Sequence, residues 1–283
     1  MGRLAPQHLH ATYAGVAQAA AADSAPVLLW GNSPAHLCLG QSQSAARELG
    51  SEIAVPVVRR PLGGGTVWVD EGQQVYVFIV PLRHAPRRPA AWGAWALQPA
   101  LATYRAFGLA VEQRGDDLWL CGRKIAGSGS ATIGGCAVLA SSFLMHFPHQ
   151  RFAECIAGSR EFRSWLEAGL AATLTAWAEH ATVPAVHVLQ AAFRDAVART
   201  LGWQLLPATL AGAECAAIAE ALVDLQDDGY DCGHRALRDG IKLNAESHLV
   251  EREQNGCRVR ELVVRGTVVR RTVCRPAQTG DAI

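Results

Sequence analysis

Arg59-Arg60-Pro61-Leu62-Gly63-Gly64-Gly65-Thr66-Val67 and, further along, Gly122-Arg123-Lys124-Ile125-Ala126-Gly127-Ser128 are the stretches on which the reading of this chain turns. The first sets two cations beside a turn with no side chains. Three consecutive glycines let a ligand approach backbone N–H groups, which then cradle an anion. A flexible hairpin connection is the plain alternative. Arg60, nearer the turn, suits a two-pronged contact with phosphate or carboxylate. Arg59 points to the other face of its strand, where solvation alone accounts for it.

The second stretch places one lysine among apolar strand residues. Such an ammonium loses hydration and calls for a nearby anion, unless the strand lies at an edge and the lysine snorkels out. Gly122 and Gly127 leave room beside it for a nucleotide. Together the two stretches describe a site that grips a carboxylate and a phosphate side by side, as acyl-adenylate chemistry requires. Asp116 and Asp117, one turn upstream, either hold Lys124, bind Mg²⁺, deprotonate an incoming amine or are ordinary turn aspartates.

Outward from these segments, periodicity predicts helices over 9–22, 41–49, 162–177, 186–201 and 213–225, with another between Pro99 and Gly108. Strands are expected at 27–30, 36–39, 55–60, 66–69 and 75–80, the last two paired around Asp70-Glu71-Gly72. Four more, at 109–113, 118–121, 124–128 and 137–144, cross one sheet. The tail alternates apolar and charged residues over 247–253, 257–264 and 267–274, broken at Asn255-Gly256 and Arg265-Gly266. That pattern is a three-stranded meander with one wet face. Asp227-Asp228-Gly229 marks the domain boundary, giving a unit over 1–228 and a β appendage over 229–283.

Bulk properties narrow the field. The 283 residues are half hydrophobic and 18% charged, enough for a large core and against disorder. A net charge of +1 predicts no general attraction to nucleic acid or to an anionic membrane. Eight cysteines without a Cys-x-x-Cys pair point to a reducing, cytoplasmic setting. No apolar run is long enough to span a bilayer, and the Ala-rich stretch over 15–22 lacks the features of a signal peptide. His146 and His149 have no third ligand nearby. Cys136 and Cys155 are the candidate nucleophiles if the chemistry is a thioester exchange, with packing as the ordinary role. Trp68, Trp92, Trp95 and Trp119 either line an acyl slot or fill the core.

Taken in order, four elements resemble the lipoate–protein ligase family, within the biotin/lipoate ligase and octanoyltransferase superfamily. Leu29-Trp30-Gly31-Asn32-Ser33-Pro34 through Leu39-Gly40-Gln41-Ser42-Gln43 is similar to the family's opening strand pair. Residues 59–67 resemble its Arg-Arg-x-x-Gly-Gly-Gly signature, and Arg114-Gly115-Asp116-Asp117-Leu118 its Arg-Asn-Asp-Leu element. Residues 122–128 resemble its lysine motif. The resemblance implies an α+β fold: a mixed, largely antiparallel central sheet flanked by helices, of the class II aminoacyl-tRNA synthetase/biotin ligase kind, with a small C-terminal β-meander.

It also implies an activity. Lipoate (or octanoate) reacts with ATP and Mg²⁺ to give acyl-AMP, and a lysine of a lipoyl carrier domain then takes the acyl group. By position, Lys124 contacts carboxylate and phosphate, and Asp117 lies near the phosphate. Arg60, Gly63, Gly64, Gly65, Thr66, Gly127 and Ser128 line the pocket. Gly134-Gly135-Cys136-Ala137 stands where the family has His-Gly-Thr/Ser, and the tail is short for its accessory domain, so a separate accessory subunit is an expectation. An octanoyltransferase using acyl carrier protein and a non-catalytic ligase subunit are the alternatives.

Overall fold

Strand-forming Val, Ile and aromatic residues alternate along the centre of the chain, and this alternation builds its main layer. The computed structural model describes residues 2–225 and 240–274; the boundary at Asp227-Asp228-Gly229 lies outside them. The first half runs β1 (Gly2–Arg3), α1 (Pro6–Ala19), β2 (Val27–Asn32), β3 (His36–Leu39), α2 (Ala45–Glu48), β4 (Val57–Arg59), β5 (Val67–Val69) and β6 (Gln73–Pro81). Then come α3 (Trp92–Ala96), α4 (Gln98–Ala106), β7 (Glu112–Arg114), β8 (Asp117–Leu120), β9 (Arg123–Ile133) and β10 (Cys136–Leu144). Helices follow as α5 (His149–Cys155), α6 (Arg160–Thr173), α7 (Val186–Leu201) and α8 (Gly212–Asp224). The chain closes with β11 (Gly240–Lys242), β12 (Ser247–Gln254), β13 (Cys257–Val264) and β14 (Thr267–Cys274).

Seven strands form the main sheet in the order β1-β2-β6-β10-β9-β8-β7, antiparallel except for β1 on β2. Because side chains alternate along β6 and β10, the sheet buries two different faces. Tyr76, Phe78, Leu139 and Phe143 pack against Tyr104 of α4, Trp177 and Phe193 of α7. Val77, Ile79 and Val138 pack against Tyr13, Val16 and Ala17 of α1 and Ala221 of α8. This is the expected mixed, mainly antiparallel sheet between helices.

A second, three-stranded sheet in the order β4-β3-β5 carries the glycine stretch. Here the structure departs from the expected hairpin: β5 pairs with β3, whereas β6 pairs with β2 and β10. Asp70 explains the parting. Its carboxylate accepts bonds from Trp68 Nε1 (2.6 Å) and Gly72 N (2.9 Å), folding the connection into a corner between two sheets.

The tail holds four strands, in the order β11-β12-β13-β14, one more than the meander expected from its pattern. Asn255 (φ 53°) and Gly256 (φ 70°) make the tight turn between β12 and β13. The sheet docks on α6 through Leu243, Leu249 and Leu262, which meet Leu166 and Leu170. Charge is buried on both faces of this sheet, Arg260 on the side of Leu262 that meets α6 and Glu261 on the other. Arg260 and Glu261 are buried, paired to Glu251 (2.5 Å) and Arg252 (2.7 Å).

Candidate active site

Lys124 is the second residue of β9, and the end of α6 fixes its backbone. Its carbonyl accepts from Thr175 N (2.8 Å), and Leu174 bridges to it. The side chain reaches across to β8, where Nζ lies 2.8 Å from Asp117 Oδ1. Strand register sets Asp117 opposite Gly127. A Cβ on Gly127 would sit 2.5 Å from the ammonium and 2.8 Å from the carboxylate. The pair therefore exists because residue 127 has no side chain. Asp117 is buried, while Lys124 keeps about a quarter of its side-chain surface (23%) open to the cavity. Asp117 Oδ2 accepts a further bond, from Ala245 N of the C-terminal sheet, at 3.0 Å.

Across from this pair, Arg60 organises the glycine bend. Its Nη2 donates to the carbonyls of Gly63 (2.9 Å) and Gly65 (2.8 Å), and its Nη1 to that of Cys38 (3.0 Å). Turning those carbonyls toward the guanidinium draws the chain into a tight curl. Gly64 takes φ 101° within it, a conformation open to glycine. Arg60 is buried, and no carboxylate pairs with it among the described residues. Gln43 ties the bend to β3: its Nε2 donates to Thr66 Oγ1 (3.0 Å), and its Oε1 accepts from Gly40 N (2.9 Å). Arg59 is not merely solvated. Its guanidinium donates to the carbonyls of Gln43 and Gly40, clasping the turn after β3.

Both stretches line one cavity of about 590 Å³, a size suited to a ligand larger than a simple metabolite. Lys124, Asp117, Gly127 and Ser128 form one wall; Arg60, the three glycines and Thr66 form another. Asp116 also faces this space. An apolar stretch lined by Trp68, Leu144, Phe147 and Phe152 continues from it, so Trp68 is a cavity residue while Trp92 is core.

Sequence reasoning missed a buried polar group at the same cavity. Tyr13 Oη lies 3.1 Å from His10 Nδ1, His10 Nε2 lies 3.3 Å from His36 Nε2, and His36 Nδ1 lies 2.8 Å from the Pro34 carbonyl. One proton assignment satisfies the row: His36 donates to Pro34, His10 to His36, and Tyr13 to His10. Both rings must then be neutral. Burial and the Arg60 charge hold His10 down at about 3; burial lowers His36 to about 4. Nothing in the sequence links residues 10, 13 and 36 except their tertiary meeting.

Cys136 and Cys155 do not join the site. Both are buried, burial pushes both thiols up, and neither lines the cavity. Cys136 packs beneath α1, and Cys155 lies in the core under the three-stranded sheet. The residues at 242–245, which the sequence left in a peripheral appendage, do line it.

A ligand-sized cleft thus carries the Lys124–Asp117 ion pair on one wall and the glycine bend held by Arg60 on the other. Residues 7–200 match the model of the lipoyl protein ligase A/B catalytic domain, and the chain belongs to that family, whose ligases form an amide bond between lipoate and a protein lysine. The bipartite lipoate protein ligase of Thermoplasma acidophilum, described with its E2 lipoyl domain, superimposes with a TM-score of 0.75. Identity is 15%, over 84% of this chain and 97% of that one. A lipoate-protein ligase A bound with ATP gives 0.68 at 14% identity, over 82% and 96%. LipL1 of P. falciparum in complex with lipoate gives 0.61 at 12% identity, over 97% and 84%. At these identities the likeness is one of fold. No curated protein sequence matches the chain.

Proposed function

We propose that this chain is an ATP-dependent lipoate–protein ligase acting in the cytoplasm, where ATP is supplied. One observation carries the reading: Lys124 and the Gly63–Gly64–Gly65 bend face one cavity. The cations there fit the reactants. Arg60 is a buried charge with no carboxylate partner among the described residues, and the bare bend offers N–H donors to phosphate. The apolar stretch beside Trp68 suits an acyl chain.

In the first step, a carboxylate oxygen of lipoate bonds to the α-phosphorus of ATP, and the bond to the β-phosphate bridging oxygen breaks. The Lys124 ammonium draws the carboxylate and α-phosphate together and offsets charge at the phosphorus. Asp117 holds that ammonium in place. Both of its oxygens are engaged, by Lys124 and by Ala245 N, which leaves Asp116 as the cavity carboxylate better placed to help hold Mg²⁺. In the second step, a lysine amine of a lipoyl carrier domain attacks the acyl carbon. The amine loses a proton and AMP leaves. Holding the mixed anhydride within the cleft limits its contact with water.

The domain plan that goes with this reading is a catalytic unit over 1–228 with an appendage over 229–283. The hydrogen bond between Ala245 and Asp117 favours an appendage that serves the site over one that stands apart. The position of Cys136 and Cys155 outside the cavity disfavours the thioester route. The test is release of pyrophosphate that depends on lipoate, measured with the isolated chain. Equal release with and without lipoate would end the proposal.

A further inference from the structure

The C-terminal sheet brings a second lysine to the cavity. Ile241 of β11 and Leu243 just past its end are buried, both within the apolar layer over α6. Lys242, which lies between them, is exposed at the strand surface. There it lines the cavity that holds Lys124. Lys242 forms no ion pair among the described residues, whereas Lys124 is paired to Asp117. The docking that sets this register is tight. A Cβ on Gly169 of α6 would come within 3.2 Å of Leu249 and 3.3 Å of Leu243.

The next residues reinforce the placement. Ala245 N bonds to Asp117, and Asn244, buried and lining the same cavity, has no acceptor for its Nδ2 among the described residues. A buried amide donor left in that state calls for an acceptor from elsewhere, and phosphate oxygens supply several. The charge balance points the same way. Three cations, Arg60, Lys124 and Lys242, face the cavity against two carboxylates, Asp116 and Asp117. Without Lys242 the walls would be neutral overall, facing a polyphosphate and a carboxylate together.

We propose that Lys242 is the polyphosphate-binding residue of the site, meeting the β- and γ-phosphates of ATP while Lys124 serves the α-phosphate and the acyl carboxylate. This rests on the ligase reading above and deepens it. When the bond between the α-phosphorus and the bridging oxygen breaks, the electron pair stays on the departing pyrophosphate. The Lys242 ammonium stabilises the charge that gathers there.

The test is calorimetric binding of inorganic pyrophosphate to the full chain, wild type beside Lys242→Gln and Lys242→Arg. Lys242 is exposed at the cavity wall, so both variants should keep the wild-type melting temperature. The glutamine variant is expected to bind pyrophosphate on the order of tenfold to a hundredfold more weakly, and arginine to restore most of the loss. Binding of preformed lipoyl-AMP, which lacks those phosphates, is expected to stay within roughly twofold. Pyrophosphate binding that is undiminished in Lys242→Gln, or absent from the wild type, overturns the proposal. A wild type that binds pyrophosphate through Lys242 but releases none from ATP and lipoate removes the ligase reading and leaves the subsite intact.

Discussion

Gly127 earns its place by what it leaves empty. Lys124 Nζ and Asp117 Oδ1 share the space in which a methyl group would stand. Since the ammonium ends a flexible chain, Gly127→Ala should fold, with its melting temperature little changed, but displace the ammonium. We expect lipoate-dependent pyrophosphate release to fall on the order of a hundredfold. Lys124→Ala should lose at least as much. Should Gly127→Ala work at the wild-type rate, the ion pair is not the active arrangement. The lysine and the glycine bend were legible because each needs a particular residue type at a fixed local spacing. The roles of Arg59, His10 and His36 were not, because their partners come from other elements. For Asp117 the sequence left several roles open, holding Lys124 among them; its two oxygens accept from Lys124 and from Ala245 N, and only the second partner had no local signal.

At the level of elements, α7 shows where local pattern suffices. Its expected bounds, 186–201, are the observed ones, set by a three-four apolar spacing and a left-handed Gly202 at the C-cap (φ 71°). Phe193 drives its docking. The ring lies 4.6 Å from Tyr76 and 5.4 Å from Phe143 between centroids, and is fully buried. Phe193→Ala should cost about 3–5 kcal/mol, measured by urea unfolding. A loss under about 1 kcal/mol would show that α7 is held by something else. Strand pairing was harder to read than strand existence. β5 and β6 have the alternation of a hairpin, and only the corner made by Asp70 sends them to different sheets. β9 was read too short, ending at 128 instead of Ile133, because Gly129 and Ala131 have weak strand propensity. Pairing with β10 overrides it.

The molecule as a whole carries a built-in pH limit. His10 and His36 are held at about 3 and about 4, well below their ordinary 6.5. The unfolded chain therefore takes up protons that the folded chain refuses. Stability should be level above about pH 6.5 and fall as pH drops toward 4, by up to about 1.4 kcal/mol per pH unit for each ring. Urea midpoints between pH 7.5 and 5, above the main carboxylate range, would show the slope; a flat profile there would contradict the neutral His10–His36 row. The same fold that buries this row also gathers α1, two sheets and the C-terminal strands around one cavity, which a lipoate ligase must fill with lipoyl-AMP. Native mass spectrometry of the full chain after incubation with lipoate, ATP and Mg²⁺ tests this most directly, with Lys124→Ala alongside. The wild type should retain a mass equal to lipoyl-AMP and the variant should not; no adduct on the wild type, or the same adduct on both, would contradict it.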